Sequence, residues 1–87
     1  MIGKTHRRFW KHFDGLPPAM QKLAREKYAL WKRDPRHPSL HFEERRNGIC
    51  VARIGDHYRA LGLREGEVIA WFWIGTHEEY NNFIRQL

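Results

Sequence analysis

Cysteine is nearly missing from this 87-residue chain. Cys50 stands alone and cannot close an internal disulfide, so nothing calls for an oxidising compartment. Serine is as scarce: Ser39 is the only one, and it opens a segment that reads as strand, which leaves a Ser or Cys nucleophile without support. No apolar run approaches the ~20 residues of a membrane-spanning helix. Met1 to Lys11 is basic and holds no apolar core, so no secretory signal is expected and the cytoplasm of a bacterium or archaeon is the expected compartment. The six histidines, at 6, 12, 37, 41, 57 and 77, show no paired ligand spacing on one element; with a lone cysteine, no metal site is expected. The glycines sit at turns rather than in a phosphate-cradling loop, and no cofactor is implied. No repeat or low-complexity segment is visible, and no lysine follows Lys32.

Aromatics, in contrast, are plentiful: four Trp, five Phe and three Tyr. They are the obvious source of core area, and residues 1–87 are read as one domain with one core. A domain near this size buries roughly 60% of the surface its unfolded chain exposes, so it folds alone with little margin. The formal net charge is +6, and it is lopsided. Residues 1–47 carry 12 Lys/Arg against 5 Asp/Glu, whereas residues 48–87 carry 4 against 5. A one-sided basic half suggests a polyanionic partner, whether RNA, DNA or an acidic protein; the plainer alternative is a soluble basic protein.

Thr5 to Phe13 reads as a short helix with Phe9, Trp10 and Phe13 on one stripe, ended by Asp14-Gly15. Pro17-Pro18 opens a longer helix to about Arg33, because proline suits the first turn. Met20, Leu23, Ala24, Leu30 and Trp31 form its buried face. Lys22, Arg25, Lys32 and Arg33 gather on another face, either solvated or set against a nucleic-acid backbone. Asp34-Pro35 stops the helix. From Ser39 the period becomes two. Leu40 and Phe42 alternate with His41 and Glu43, which predicts a half-buried strand. Asn47-Gly48 is a hairpin cue, followed by strands over Ile49–Ile54, Tyr58–Leu63 and Val68–Ile74. Thr76 and Glu79 have capping-box spacing, and Tyr80, Phe83, Ile84 and Leu87 follow as the stripe of a C-terminal helix. The expected class is α+β: two N-terminal helices packed on a four-stranded antiparallel sheet, then a short C-terminal helix.

The residues that could carry chemistry are cationic. Arg53 and Arg59 flank the turn at Gly55-Asp56-His57. A three-residue loop pairs 53 with 59 on one face, an unfavourable juxtaposition unless an anion sits between them; a two-residue loop separates them onto opposite faces. The plainer alternative pairs one arginine with Asp56 or Glu43. His77 opens the C-terminal helix, where an adjacent phosphate would favour the imidazolium and make it a proton donor near neutral pH; otherwise it merely packs near the cap. Tyr80 is either a core aromatic or a part of the same site. In Trp71-Phe72-Trp73, alternation predicts core packing on both faces of the sheet, with base stacking as the second possibility.

The order of these pieces resembles the RelE/ParE superfamily of bacterial toxins, the toxin halves of type II toxin–antitoxin pairs. The likeness lies in Phe13 to Pro18, Tyr28 to Trp31, Pro38 to Leu40, Ala52 to Arg59 with Ala60 to Gly62 following, and Trp73 to Tyr80. It implies a fold of two helices on a curved antiparallel sheet. In the RelE-like branch it implies messenger RNA cleavage in the ribosomal A site, by attack of the ribose 2′-hydroxyl on the adjacent phosphate without a metal. Arg53 and Arg59 would then hold the phosphate, His77 would be the acid, and Tyr80 would orient a base or the ribose. Some relatives use lysines on the central strands; here the base must be His41 or Glu43. Lys22, Arg25, Lys32, Arg33, Arg45 and Arg46 would bind nucleic acid. The implied partners are an antitoxin wrapping the basic surface, messenger RNA and the ribosome, with no membrane. The ParE-like branch implies instead a toxin that poisons DNA gyrase without cutting RNA, and other members a non-toxic nucleic-acid-binding protein.

Overall fold

Proline and capping residues set the helices, and alternation sets the long strands, in the computed structural model, which describes residues 1–86. The elements are β1 (Ile2–Thr5), α1 (Arg7–Asp14), α2 (Pro18–Arg33), β2 (Glu43–Glu44), β3 (Ile49–Ile54), β4 (Tyr58–Glu65), β5 (Val68–Thr76) and α3 (His77–Arg85). Pro18 occupies the first turn of α2 and Asp34 ends it, as expected. His6 caps α1, its Nδ1 accepting the Arg8 N–H at 3.1 Å. α3 starts in a full capping box. Thr76 Oγ1 accepts the Glu79 N–H at 3.1 Å and the Glu79 carboxylate accepts the Thr76 N–H at 2.9 Å, satisfying two otherwise orphaned donors.

The sheet has five strands in the order β1-β5-β4-β3-β2, which corrects the expected four-stranded antiparallel sheet. β1 runs parallel to β5, pairing Ile2 with Val68 and Thr5 with Trp71, so the sheet is mixed. The extra strand left no periodic signal, since Ile2 is its only large apolar residue and is exposed. Its order comes from pairing with β5. The helix expected from Thr5 therefore begins two residues later. The strand expected through Leu40–Glu43 shrinks to Glu43–Glu44, because Pro38–Leu40 forms a single 3₁₀ turn and His41 takes a left-handed backbone, φ 43°. Asn47-Gly48 does make the hairpin turn, with φ of 58° and 77°, and the Ile49 N–H donates to the Arg46 carbonyl.

Both faces of the sheet are covered. On one, α1 and α2 pack over Ala52, Ile54, Ala60, Trp71 and Ile74, with Phe13, Trp31 and Leu40 buried between. Trp31 and Trp71 meet edge to face, 5.3 Å between ring centres. On the other, α3 lays Tyr80, Phe83 and Ile84 over Val51 and Leu61; Leu87, expected in the same stripe, lies outside the described residues. Strict alternation fails in β5. Leu61 pairs with Trp73 but Gly62 pairs with Trp71, so Phe72 is an extra residue in a bulge. Phe72 and Trp73 consequently both pack on the α3 side, while Trp71 packs under α1 and α2.

Candidate phosphate-binding site

The loop between β3 and β4 has three residues, Gly55-Asp56-His57, so Ile54 pairs with Tyr58 and Arg53 with Arg59. Directly paired residues share a face, and the neighbours Val51 and Leu61 put that face under α3. Gly75 of β5 stands beside Arg59 in the same row. A Cβ on Gly75 would lie 2.5 Å from the Trp73 ring, so glycine lets that ring fold over the row's end.

Two like charges thus face each other on central strands. The Arg59 guanidinium is held below the usual arginine range, first by burial and then by Arg53, with Tyr80 and Asp56 acting in the opposite sense. Arg59 Nη1 donates to the Tyr58 carbonyl at 2.8 Å and the Asp56 carbonyl at 3.4 Å. Arg53 is less well served. Its Nε is buried without a partner, and its Nη1 stands 3.5 Å from His41 Nε2. Arginine offers donors only, so a hydrogen bond across this contact has His41 Nε2 as its acceptor. Neither arginine forms a salt bridge among the described residues. The pair therefore presents several N–H donors in one patch, with no carboxylate among the described residues paired to them.

His41 and Glu43 do not lie on a common strand face, which corrects the expected alternation. The left-handed turn at His41 carries it to Arg53, whereas Glu43 is held by Arg45 at 2.7 Å. His77 sits at the first position of α3. Its backbone N–H donates to the His57 carbonyl at 2.7 Å, tying the helix start to the loop beside Arg59. Its exposed ring stacks near Tyr80, 6.4 Å between centres and 20° between planes. Tyr80 is itself buried in the α3-side core, so its ring is both packing and a platform for His77.

The remaining cations divide between two surfaces. Lys22, Arg25, Lys32 and Arg33 are exposed on α2, across the sheet from the arginine pair. Arg45 and Arg46 lie on the same side as the pair, around a basin shared with Ile49, Ile84 and Arg85. Arg85 was not singled out from sequence, although it had a signal, one position beyond Ile84 in the apolar stripe.

This architecture is shared with solved toxins. A RelB–RelE antitoxin–toxin complex from Methanococcus jannaschii superposes with a TM-score of 0.71 at 12% identity, over 91% of this chain and 95% of that one. The toxin–antitoxin complex RelBE2 from Mycobacterium tuberculosis gives 0.70 at 17%, over 87% and 96%. The YoeB/ParE toxin from Agrobacterium tumefaciens gives 0.66 at 15%, over 88% and 99%. No curated protein sequence matches the chain. The fold is thus that of the RelE/ParE superfamily of toxins. The family model for the ParE-like toxin domain matches residues 18–82, and the chain belongs to that family.

Proposed function

We propose that this toxin cleaves messenger RNA, bound at the Arg53–Arg59 pair, in association with the ribosome, and that a cognate antitoxin neutralises it. The observation that carries the reading is the opposed arginine pair, a costly arrangement in isolation that a phosphodiester would relieve. The antitoxin follows from the family and from neighbours solved as toxin–antitoxin complexes.

In the mechanism, His41 Nε2 takes the proton from the ribose 2′-hydroxyl. The 2′-oxygen bonds to phosphorus, the bond from phosphorus to the 5′-oxygen breaks, and His77 as imidazolium gives its proton to the leaving oxygen. The products are a 2′,3′-cyclic phosphate and a 5′-hydroxyl. Arg53 and Arg59 stabilise the charge that grows on the phosphoryl oxygens. Tyr80 holds the His77 ring in place. No lysine follows Lys32, and His41 takes the part of the base. The reaction belongs in the cytoplasm, and no helix among the described residues is long and apolar enough to cross a membrane.

The test is to map RNA ends after induced expression, beside Arg59→Ala and His77→Ala. New ends within translated codons, lost in both variants while the domain stays folded, support the proposal. A second reading, gyrase poisoning without RNA cleavage, is favoured by the ParE-like family model. Intact transcripts with gyrase-linked DNA breaks would establish it instead.

A further inference from the structure

Across the sheet from the arginine pair, a cavity of about 190 Å³ opens between α1 and α2. Its floor is made small by Ala52 and Ala60, and Phe13, Tyr28, Trp31 and Trp71 stand around it. A dry apolar cavity of about 150 Å³ is enough to take benzene, so this one takes a single ring or a small fused pair. Two observations give it a polarity. The indole N–H groups of Trp31 and Trp71, residues 1% and 4% exposed, have no acceptor, and folded chains leave few buried donors unpaired. At the mouth stand two cations. The Arg25 guanidinium lies 4.9 Å from the Phe13 ring centre and 5.7 Å from that of Trp10, and the Lys32 ammonium lies 4.8 Å over Tyr28. Neither joins a salt bridge among the described residues, whereas the neighbouring Lys27 is engaged with Ser39 Oγ at 3.1 Å.

We propose that this cavity binds a small planar aromatic anion. The ring enters among the indole and phenyl groups, an acceptor on its edge serves an indole N–H, and its carboxylate or phosphate rests between Arg25 and Lys32. A purely apolar guest would leave both the N–H groups and the cations unanswered. The chemistry is common to a mononucleotide and to an aromatic carboxylic acid. The site is separated by the sheet from Arg53, Arg59 and His77 and does not depend on RNA cleavage.

The test is titration of the full chain with indole-3-acetate, AMP, UMP and neutral indole. It is followed by the tryptophan Nε1–H resonances and by nuclear Overhauser contacts to the Ala60 and Ile74 methyl groups. The expected result is saturable binding of at least one anion at millimolar concentration or below, with shifts of the Trp31 and Trp71 N–H signals. Neutral indole should bind about tenfold more weakly or worse, and Arg25→Gln, which keeps its aliphatic stem, should lose a similar factor for the anions only. Tighter binding of AMP or UMP identifies a nucleotide site, and tighter binding of indole-3-acetate a carboxylic-acid site. The proposal is overturned if no anion saturates these signals, if indole binds as well as its acetate, or if folded Arg25→Gln binds the anions unchanged.

Discussion

Replacing Arg53 by methionine is expected to stabilise the folded chain while destroying its affinity for phosphate. Methionine keeps an unbranched stem against the sheet and removes the charge together with the Nε that is buried without a partner. Paired residues on adjacent antiparallel strands start with Cβ atoms about 5 Å apart. With the guanidinium groups at roughly 10 Å and an effective dielectric constant of about 40, their repulsion is about 0.8 kcal/mol. What is given up is a single 3.5 Å contact to His41, too long to be a strong bond. A net gain of about 1 kcal/mol raises the melting temperature of a domain this size by roughly 4–8 °C. Scanning calorimetry at low and high salt separates the causes. The Debye length falls to about 3 Å at 1 M salt, so the advantage of the variant should shrink there. Inorganic phosphate should work the other way. At a hundred times its dissociation constant it stabilises the native chain by about 2.7 kcal/mol, beyond chloride of equal ionic strength, and it should leave Arg53→Met unmoved. A variant less stable than the native chain at low salt, or one stabilised by phosphate to the same degree, would refute the idea that the pair is strained for want of an anion.

Four further expectations follow from the structure. His41→Ala should slow single-turnover RNA cleavage by about 10²–10⁴-fold, the worth of a general base, while Glu43→Gln, which only frees Arg45, should leave it within a few-fold; equal losses in both would remove His41 from the role of base. Thr76→Ala should cost about 1 kcal/mol in urea unfolding by removing the helix cap. The Glu79 carboxyl is held below its ordinary 4.5, mainly by its hydrogen bonds from Thr76, so that stabilisation is present above the unfolded value and lost as pH falls through the lowered folded one; a penalty that stays constant into acid would show that Glu79 takes no part. Neutralising Arg45, Arg46 and Arg85 together should flatten the salt dependence of single-stranded RNA binding by about two units in log–log slope and slow capture of a short oligonucleotide. Neutralising Lys22 and Arg33 on α2 should spare cleavage of the same oligonucleotide, and a loss of cleavage there would place the substrate on the wrong face.

Long elements with strong periodicity were legible in the sequence. Pro17-Pro18 and Asp34-Pro35 bracket α2 to within a residue, and Thr76 with Glu79 places the start of α3. The hairpin at Asp56 was legible as a choice between two loop lengths, and the three-residue one holds. What escaped has a common cause, because each feature is decided by a partner element rather than by local pattern. β1 is ordered by β5. The bulge at Phe72 is a property of the β4–β5 register and not of the alternation within β5. The apolar spacing of Leu40 and Phe42 looked like a strand, but a 3₁₀ turn and a left-handed His41 bury Leu40 and half-bury Phe42 on the α1–α2 side.

The same distinction explains why the candidate site could be half read. Arg53 and Arg59 lie on strands whose register follows from a nearby loop, six residues apart in sequence, so local information suffices to oppose them. The proposed base comes from a segment that pairs through only two residues, Glu43 and Glu44, and its backbone turns left-handed at His41. Sequence alternation favoured neither His41 nor Glu43. The left-handed turn separates them, delivering the histidine to Arg53 and leaving the glutamate with Arg45. His41 stands in a turn at the sheet edge, whereas Arg53 and Arg59 rise from paired positions of the β3–β4 ladder. The proposed site therefore sets an opposed arginine pair on the ladder beside a base from the turn, and the cost of keeping that pair without a counter-ion is what would give an anion its advantage there.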